Sequence, residues 1–376
     1  QRGNCVSETD PLGHVTRYRH DGFGQVVEIT DATGKRKTQR WNETGQLIEQ
    51  VDCSGYATRF EYDRRGHLQT LIDAAGERQR YQHDSQGRLL QAERPYGHIE
   101  HYLRDTRGQL IAYTDAAGQT TRYQYDRRGQ VRQRVDAQGR QIEFRHDAYG
   151  RLQTLTNENG EHYRFAWDQG DRLTQQQDLD GSARRYAYDA LGNLIAVEYL
   201  PLDEASSIVH RLERDAVGRL LVKETDDGRT EYAYDLTDQL TAVTTTDRQG
   251  NAQALGFAYD ALGQLTCEQS ATGKLHHRYD ELGNLSQTQL PDGRWLNHLY
   301  YGSGHLHQIN LDGQVVTDFE RDRLHREVLR TQGQITTRSE YDRCGRLRSR
   351  KRSPTGRPRQ LPPAQQKTFE YDPADN

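Results

Sequence analysis

The sequence predicts an all-β protein: one continuous antiparallel β-meander of ~21-residue units, curled into part of a hollow shell. Three observations carry this expectation. Glycines recur every 10 or 11 residues along most of the chain. Aspartate stands three places ahead of most of them. The segments between are too short for helices and alternate between apolar and polar residues.

The glycines form two interleaved combs. The first runs Gly24, Gly45, Gly66, Gly87, Gly108, Gly129 and Gly150; the second runs Gly13, Gly34, Gly55, Gly76, Gly97, Gly118, Gly139, Gly160 and Gly181. Each is spaced by 21 residues. Beyond residue 181 the phase slips, but the phrase returns at Gly192, Gly218, Gly263, Gly283, Gly304 and Gly345, with Asp171, Asp238 and His325 in the glycine slot of three weaker copies. Asp at the first position of such a turn bonds the backbone ahead of it, and Gly at the fourth accepts positive φ. The turn pairs are Asp63 and Gly66, Asp84 and Gly87, Asp126 and Gly129, Asp147 and Gly150, Asp189 and Gly192, Asp260 and Gly263, Asp280 and Gly283, and Asp342 and Gly345. Each unit therefore holds two turns and two strands.

The strands follow from the alternation. In TTRYQYD, Tyr123 and Tyr125 share one face; in RQIEFRHD, Ile142 and Phe144 do. In VRQRV, Val131 and Val135 are expected to oppose Arg132 and Arg134. Leu152 and Leu155 fall out of phase, an irregularity that a β-bulge would accommodate. The tyrosines ahead of the turn aspartates (Tyr62, Tyr125, Tyr188, Tyr234, Tyr259, Tyr279 and Tyr341) are expected to stack as a ladder along the sheet, each pair contributing about 0.2–1 kcal/mol. A propeller blade would need ~40–45 residues, and the uniformity of the 21-residue unit favours a single meander instead.

Roughly 34 strands at ~4.8 Å spacing make a ribbon ~160 Å long and ~25 Å wide. Open sheets of that size curl. One turn of the ribbon would enclose a space ~50 Å across. A single-layer wall also suits the composition: the apolar fraction is 33%, poor material for a thick core. Net charge is −4, which gives no electrostatic case for nucleic acid as a partner. Cys5, Cys53, Cys267 and Cys344 show no CxxC spacing and frame neither disulfides nor zinc. No apolar run is long enough to span a membrane, and QRGNCVSETD has no signal-peptide pattern. There is no methionine, even at position 1, which points to a piece of a longer polypeptide. The array is expected to run over residues 1–376 as a single domain, with a longer loop at 199–208 and a basic, proline-rich insert at 346–367.

YDALGNL at 188–194, YDALGQL at 259–265, YDELGNL at 279–285 and YDRCGRL at 341–347 resemble the repeats of the Rhs, or YD-repeat, family. The resemblance extends from about residue 10 to Asp372. It implies a wall of repeats wound into a shell that encloses and sequesters a C-terminal toxin domain. It also implies a secreted bacterial effector, folded in the producer's cytoplasm and exported, in many members, by type VI secretion for competition between bacteria. The implied partners are the chain's own toxin domain, the remaining shell segments, and a secretion-system spike or chaperone. Teneurins carry the same repeats, which implies a second reading: an extracellular adhesion or carbohydrate-binding module, with Trp41, Trp167 and Trp295 stacking on sugars. A toxin domain adjoining the repeats would favour the first; a membrane anchor with cysteine-rich repeats would favour the second. Family members often carry an aspartyl autoprotease with a DPxGL-type run. Here Asp10-Pro11-Leu12-Gly13 falls on the second comb as a turn, and Asp372-Pro373-Ala374-Asp375 lacks the glycine, so no protease site is assigned.

Other chemistry is not expected, and no enzyme activity or cofactor is assigned. His20, His83 and His146 occupy the tyrosine slot. His305 and His307 alternate onto one face, and His276 adjoins His277, but no third metal ligand follows at useful spacing. QDLDGS lacks the downstream glutamate of a calcium loop, TGKRKT and TGKLHH lack the first glycine of a P-loop, and no GxSxG appears. Residues 343–367 hold nine basic residues, four prolines and no acid, and read as a solvated extended loop, the alternative being a surface for an anionic partner such as nucleic acid, lipid or an acidic toxin cargo.

Overall fold

The computed structural model describes residues 3–202, 206–358 and 361–374. Its 34 strands run from β1 (Ser7–Thr9) to β34 (Gln365–Thr368). Each strand pairs antiparallel with the one before and the one after, so the molecule is one long meander. The interior strands are five to eight residues long.

The turns explain the register. In Asp126-x-x-Gly129 the aspartate Oδ1 accepts from the backbone N–H groups of Arg128 at 2.8 Å and Gln130 at 2.9 Å. The Gly129 N–H donates to the Asp126 carbonyl, and the Asp126 N–H to the Gln130 carbonyl. This geometry puts φ of Gly129 at 88°, which a glycine adopts without steric cost. The same backbone pair recurs at Asp63, Asp84, Asp147, Asp189, Asp260, Asp280 and Asp342. Asp171, Asp238 and His325 take the same conformation with φ of 61°, 66° and 58°.

The two combs make different hairpins. At first-comb turns the register slips by one residue just before the turn: Gln124 pairs with Gln133, but Tyr125 pairs with Val131, leaving Arg132 over. This bulge recurs in the other first-comb hairpins. Second-comb hairpins such as Val135 to Gln141 keep simple register, apart from the one turning at Asp312-Gly313, which slips between Ile309 and Asn310. The bulge resolves the odd spacing of Leu152 and Leu155. Leu152 pairs with His146 and Leu155 with Phe144, so both leucines share the aromatic face. It also corrects the alternation expected in VRQRV. Val135 pairs with Arg122, on the face opposite Val131, because the extra residue inverts the phase.

The tyrosines do something other than stack. Comparable tyrosines lie two strands apart, ~9.6 Å, beyond the ~4.5–7 Å of ring contacts. Among the described residues one tyrosine pair makes ring contact, Tyr102 with Tyr113 at 5.2 Å. The ladder tyrosines instead bridge hairpins. The pairing between β5 (Leu47–Val51) and β6 (Ala57–Tyr62) ends at Glu49 and Arg59, short of the first-comb edge. There the Tyr62 hydroxyl donates to the Leu47 carbonyl at 2.8 Å. Tyr125, Tyr188, Tyr234, Tyr259 and Tyr279 do the same to Leu110, Leu173, Leu220, Leu240 and Leu265 at 2.7–3.0 Å. Tyr341 reaches the Glu327 carbonyl at 2.9 Å. Trp41 and Trp167 substitute an indole N–H, donated to Val26 and Leu152.

Among the described residues no second layer covers the sheet, and the buried apolar side chains are few: Ala92, Val222, Leu329 and, in a turn, Pro95. Half of the expected basic insert is strand: β33 (Leu347–Pro354) pairs with β32 (Ile335–Tyr341), and β34 adds to it. Its arginines alternate along the strand, so they are accommodated by the sheet and need no loop. The connection after Pro354 helps wall a cleft of about 430 Å³ with Arg338, Lys351, Pro358 and Leu361. The expected loop at 199–208 contracts to the link between β19 (Leu194–Leu200) and β20 (Ile208–Arg214); residues 203–205 and 359–360 lie outside the described residues.

Replacing Tyr125 with phenylalanine removes the donor to a half-buried carbonyl while keeping the ring. We expect a loss of about 1 kcal/mol, read as faster amide exchange over residues 110–125 than in the unmodified protein. Unchanged exchange there would contradict the bridging role.

Candidate functional site: the seam that closes the curl

The ribbon bends until its ends overlap. Asp52, in the second-comb turn between β5 and β6, meets His325, in the first-comb turn between β30 (Gln314–Arg321) and β31 (Glu327–Gln332). The two turns are twenty-five strands apart. At ~4.8 Å per strand the closed ring is about 120 Å around and about 38 Å across. That is tighter than the ~50 Å expected had all the strands made a single turn; the remaining strands begin a second coil.

Three clasps form the seam. In the first, the Lys35 ammonium donates to the Gly302 carbonyl. A Cβ on Gly302 would meet Ser54 Oγ at 3.1 Å and Cys53 Sγ at 3.4 Å, so glycine admits the close approach of the coils. In the second, His325 Nε2 and Asp52 Oδ2 lie 2.8 Å apart. His325 Nδ1 faces the Tyr301 hydroxyl at 3.0 Å, and its ring stacks on His305 at 3.6 Å between centroids. Tyr56 closes the cluster with its ring centroid 5.4 Å away. In the third, Arg343 Nε donates to both Glu77 carboxylate oxygens at 2.9–3.0 Å. Its guanidinium lies over the Tyr96 ring at 5.2 Å, its backbone N–H donates to the Tyr96 hydroxyl, and the Cys344 thiol donates to the Pro95 carbonyl.

Local sequence explains how each group is presented. His325 occupies a glycine slot, so a backbone that normally carries no side chain projects an imidazole across the seam. Around Gly97 the second comb lacks its aspartate. Arg94-Pro95-Tyr96-Gly97 forms a short 3-10 turn with Pro95 buried and Tyr96 at φ 71°.

Electrostatics favour closure near neutral pH. Burial alone would raise the Asp52 carboxyl, but hydrogen bonds from His325 and from the N–H groups of Tyr56 and Ser54 hold it below the ordinary carboxylate range. Burial, and then neighbouring His325 and Arg321, keep the His305 imidazole below its usual value. At the edges, the Asp84 carboxyl is pushed down to about 2, first by the Arg88 backbone N–H and then by its guanidinium.

The sequence-level candidates lie elsewhere. The turn aspartates and glycines line the two edges of the sheet. His305 and His307 do not act as a pair: the bulge falls at His307, which lies 3.9 Å from Asp318, while His305 stacks at the seam. His277 bonds Thr288. Among the described residues no cluster of three or more His, Cys, Asp or Glu is placed to hold a metal ion. The described residues also contain no helix long and apolar enough to cross a membrane. The Asp10 run is an ordinary turn, and Asp372 accepts from the Ala374 N–H. The seam residues Lys35, Asp52, Tyr56, Glu77 and Tyr96 were not legible as a group, although the misplaced His325 and the broken comb at Gly97 marked two of the clasps.

A folded carboxyl titrating below its ordinary value of about 3.9 stabilises the fold above that pH and stops doing so as pH falls through its lowered value. Amide exchange over residues 52–56 and 322–326 should therefore be faster in Asp52→Asn than in the unmodified protein at pH 6. The difference should shrink once the pH falls below the ordinary carboxylate value and be lost through the lowered one, where the wild-type carboxyl also protonates. A difference that persists undiminished into strong acid would show that Asp52 acts without its charge.

Comparisons with known proteins agree with this geometry. The RHS Repeat family model matches residues 1–36, 41–78, 104–141, 125–161 and 146–183. Over 142 residues the chain is 44% identical to Double-stranded DNA deaminase toxin A of Burkholderia cenocepacia (strain H111), a stretch covering 36% of this chain and 10% of that protein. In fold it is similar to TcdB2-TccC3-TEV, with a TM-score of 0.74 and 16% identity over 97% of this chain and 24% of the other. TcdB2-TccC3 without its hypervariable C-terminal region gives 0.72 and 17% over 91% and 23%. A Photorhabdus luminescens Tc holotoxin pore gives 0.51 and 15% over 95% and 25%. The chain thus spans about a tenth of the curated relative and about a quarter of the solved chains. Over the stretches that the model matches, the repeats are similar to those of the Rhs, or YD-repeat, family.

Proposed function

We propose that the chain is part of the wall of a toxin shell that encloses a toxin domain of the same polypeptide and keeps it sequestered until delivery to a target cell. The observation that carries this reading is the seam. A one-layer sheet with both faces accessible closes on itself through specific clasps, and so bounds an interior. Similarity to a protein named as a toxin supports a toxic cargo, and likeness in fold to Tc toxin components supports a container. In this reading the wall performs no chemistry; confinement is its mechanism. The protein is secreted, by a type VI route among the family's options.

The test uses the full-length polypeptide in which the chain occurs. Arg343→Glu combined with His325→Asp sets like charges against Glu77 and Asp52. Aspartate suits the His325 backbone, as Asp171 and Asp238 show by occupying the same conformation. The toxin segment should resist added protease in the unmodified protein and be cut at least tenfold faster in the variant. Equal cutting in both would overturn the container reading.

A further inference from the structure

Over most of the sheet, a lysine or arginine on one strand faces a glutamate or an uncharged residue on the next. Arg19 lies opposite Glu28, Arg40 opposite Glu49, Arg80 opposite Glu93 and Arg185 opposite Glu198, each pair 3.1–3.5 Å apart. The last strands break this pattern. Among the described residues, two registers set one cation directly across from another: Arg338 from Lys351, and Arg350 from Lys367. Like charges so placed weaken the pairing. The first pair has a neutralising partner, since Lys351 Nζ donates to Glu340 at 2.7 Å. The second has none: among the described residues no carboxylate bonds Arg350 or Lys367. The same face gathers more cations. Register sets Arg330 across from Thr337, and Thr337 across from Arg352. Arg330, Arg350 and Arg352 thus ring a cleft of about 360 Å³ over Thr337, with Lys367 beside Arg350. One carboxylate joins them. Glu327 accepts from a terminal nitrogen of Arg330 at 2.6 Å, while the buried Arg330 Nε has no partner, so this guanidinium is only partly satisfied. Four cations therefore meet one carboxylate, in a chain whose net charge is −4.

The chemistry of the cleft selects its ligand. Guanidinium groups fork onto the oxygens of phosphates and carboxylates. Three of them around one small space call for an anion with several charges on few atoms. An extended acidic peptide spreads the carboxylates of one face ~6.8 Å apart, whereas a chain of linked phosphates concentrates its charge. Single-stranded nucleic acid needs aromatic platforms for its bases. The ring on this face, Phe319, lies across from Arg330 and is covered by the guanidinium groups of Arg330 and Arg321 at 5.1 and 5.8 Å. We propose that the cleft over β31, β32 and β33 is a binding site for a short polyphosphate chain, held by Arg330, Arg350 and Arg352 with Lys367 at its rim. The bound charge removes the repulsion between Arg350 and Lys367 and so firms the pairing of β34 to β33, which spans four residues. The inference goes beyond the proposed function, because it holds whatever the shell encloses.

The probe is inorganic tripolyphosphate, titrated by calorimetry into the full-length polypeptide at about 0.15 M salt, where loose surface attraction is screened. Saturable binding is the expected result. Arg350→Gln and Arg352→Gln should each weaken it about tenfold or more, and Arg122→Gln, an exposed arginine on a distant strand, should leave it unchanged. Lys367→Glu gives Arg350 a carboxylate partner. It should slow amide exchange over 365–368 in the absence of ligand and weaken the binding, a combination that a purely structural lysine would not produce. In the unmodified polypeptide, tripolyphosphate itself should slow exchange over 365–368. Adenosine triphosphate without magnesium should bind no more tightly, since no ring is free to stack its base; tighter binding would overturn a site that reads phosphate alone. Absence of binding, or equal weakening in Arg122→Gln and Arg350→Gln, would overturn the proposal. So would tighter binding of hexaglutamate or of a DNA duplex than of tripolyphosphate, since the cleft would then serve an acidic peptide or a nucleic acid.

Discussion

The structure depends on a hydrogen bond between a tyrosine hydroxyl and a backbone carbonyl about fifteen residues earlier. Each first-comb hairpin carries a bulge, and the bulge splays the end of the neighbouring strand pair. Without a donor at that place, hairpins would be joined only at the second-comb edge. The tyrosine supplies the donor, and where tyrosine is missing an indole or a guanidinium takes over, as Trp167 and Arg321 do. Further links run along the same edge. Gln46 and Gln130 donate to the carbonyls of the next first-comb glycines, and Arg151 reaches the next turn's Asp168.

This lacing explains how so polar a chain builds a large sheet. A wall one layer thick gains little from burial, and few of its apolar residues are removed from solvent. Stability is spread instead over turn carboxylates, cross-strand pairs and edge links, each worth about 1 kcal/mol or less. Contacts are almost all between consecutive strands, as in other repeat arrays. The exceptions lie at the seam, where partners are separated by 247–273 residues. Closure is thus the one feature of the fold that local sequence does not enforce.

That division sets what could be read from sequence. Turns were legible because Asp126 and Gly129 act within five residues of each other. The bulge left a trace in the spacing of Leu152 and Leu155, yet it was invisible in VRQRV, where valines at both ends imitate perfect alternation. The tyrosines were recognised as ladder residues, but their role was misread. Repetition suggested contact between like residues, whereas strand spacing keeps them apart and sends each hydroxyl to a carbonyl. The seam was illegible as a set because ring size depends on accumulated bend. Its marks were departures from the repeat: a histidine where glycine belongs, and Pro95-Tyr96 where aspartate should stand.

The near absence of a core has a mechanical consequence. A two-layer domain pulled from one end resists until its packing fails all at once. Here tension on β34 would meet a few ladder bonds with β33, then the next row, with no shared interior to break. Such a wall yields to a threading motor row by row at modest force, yet it stays shut against diffusion because every row must part in turn.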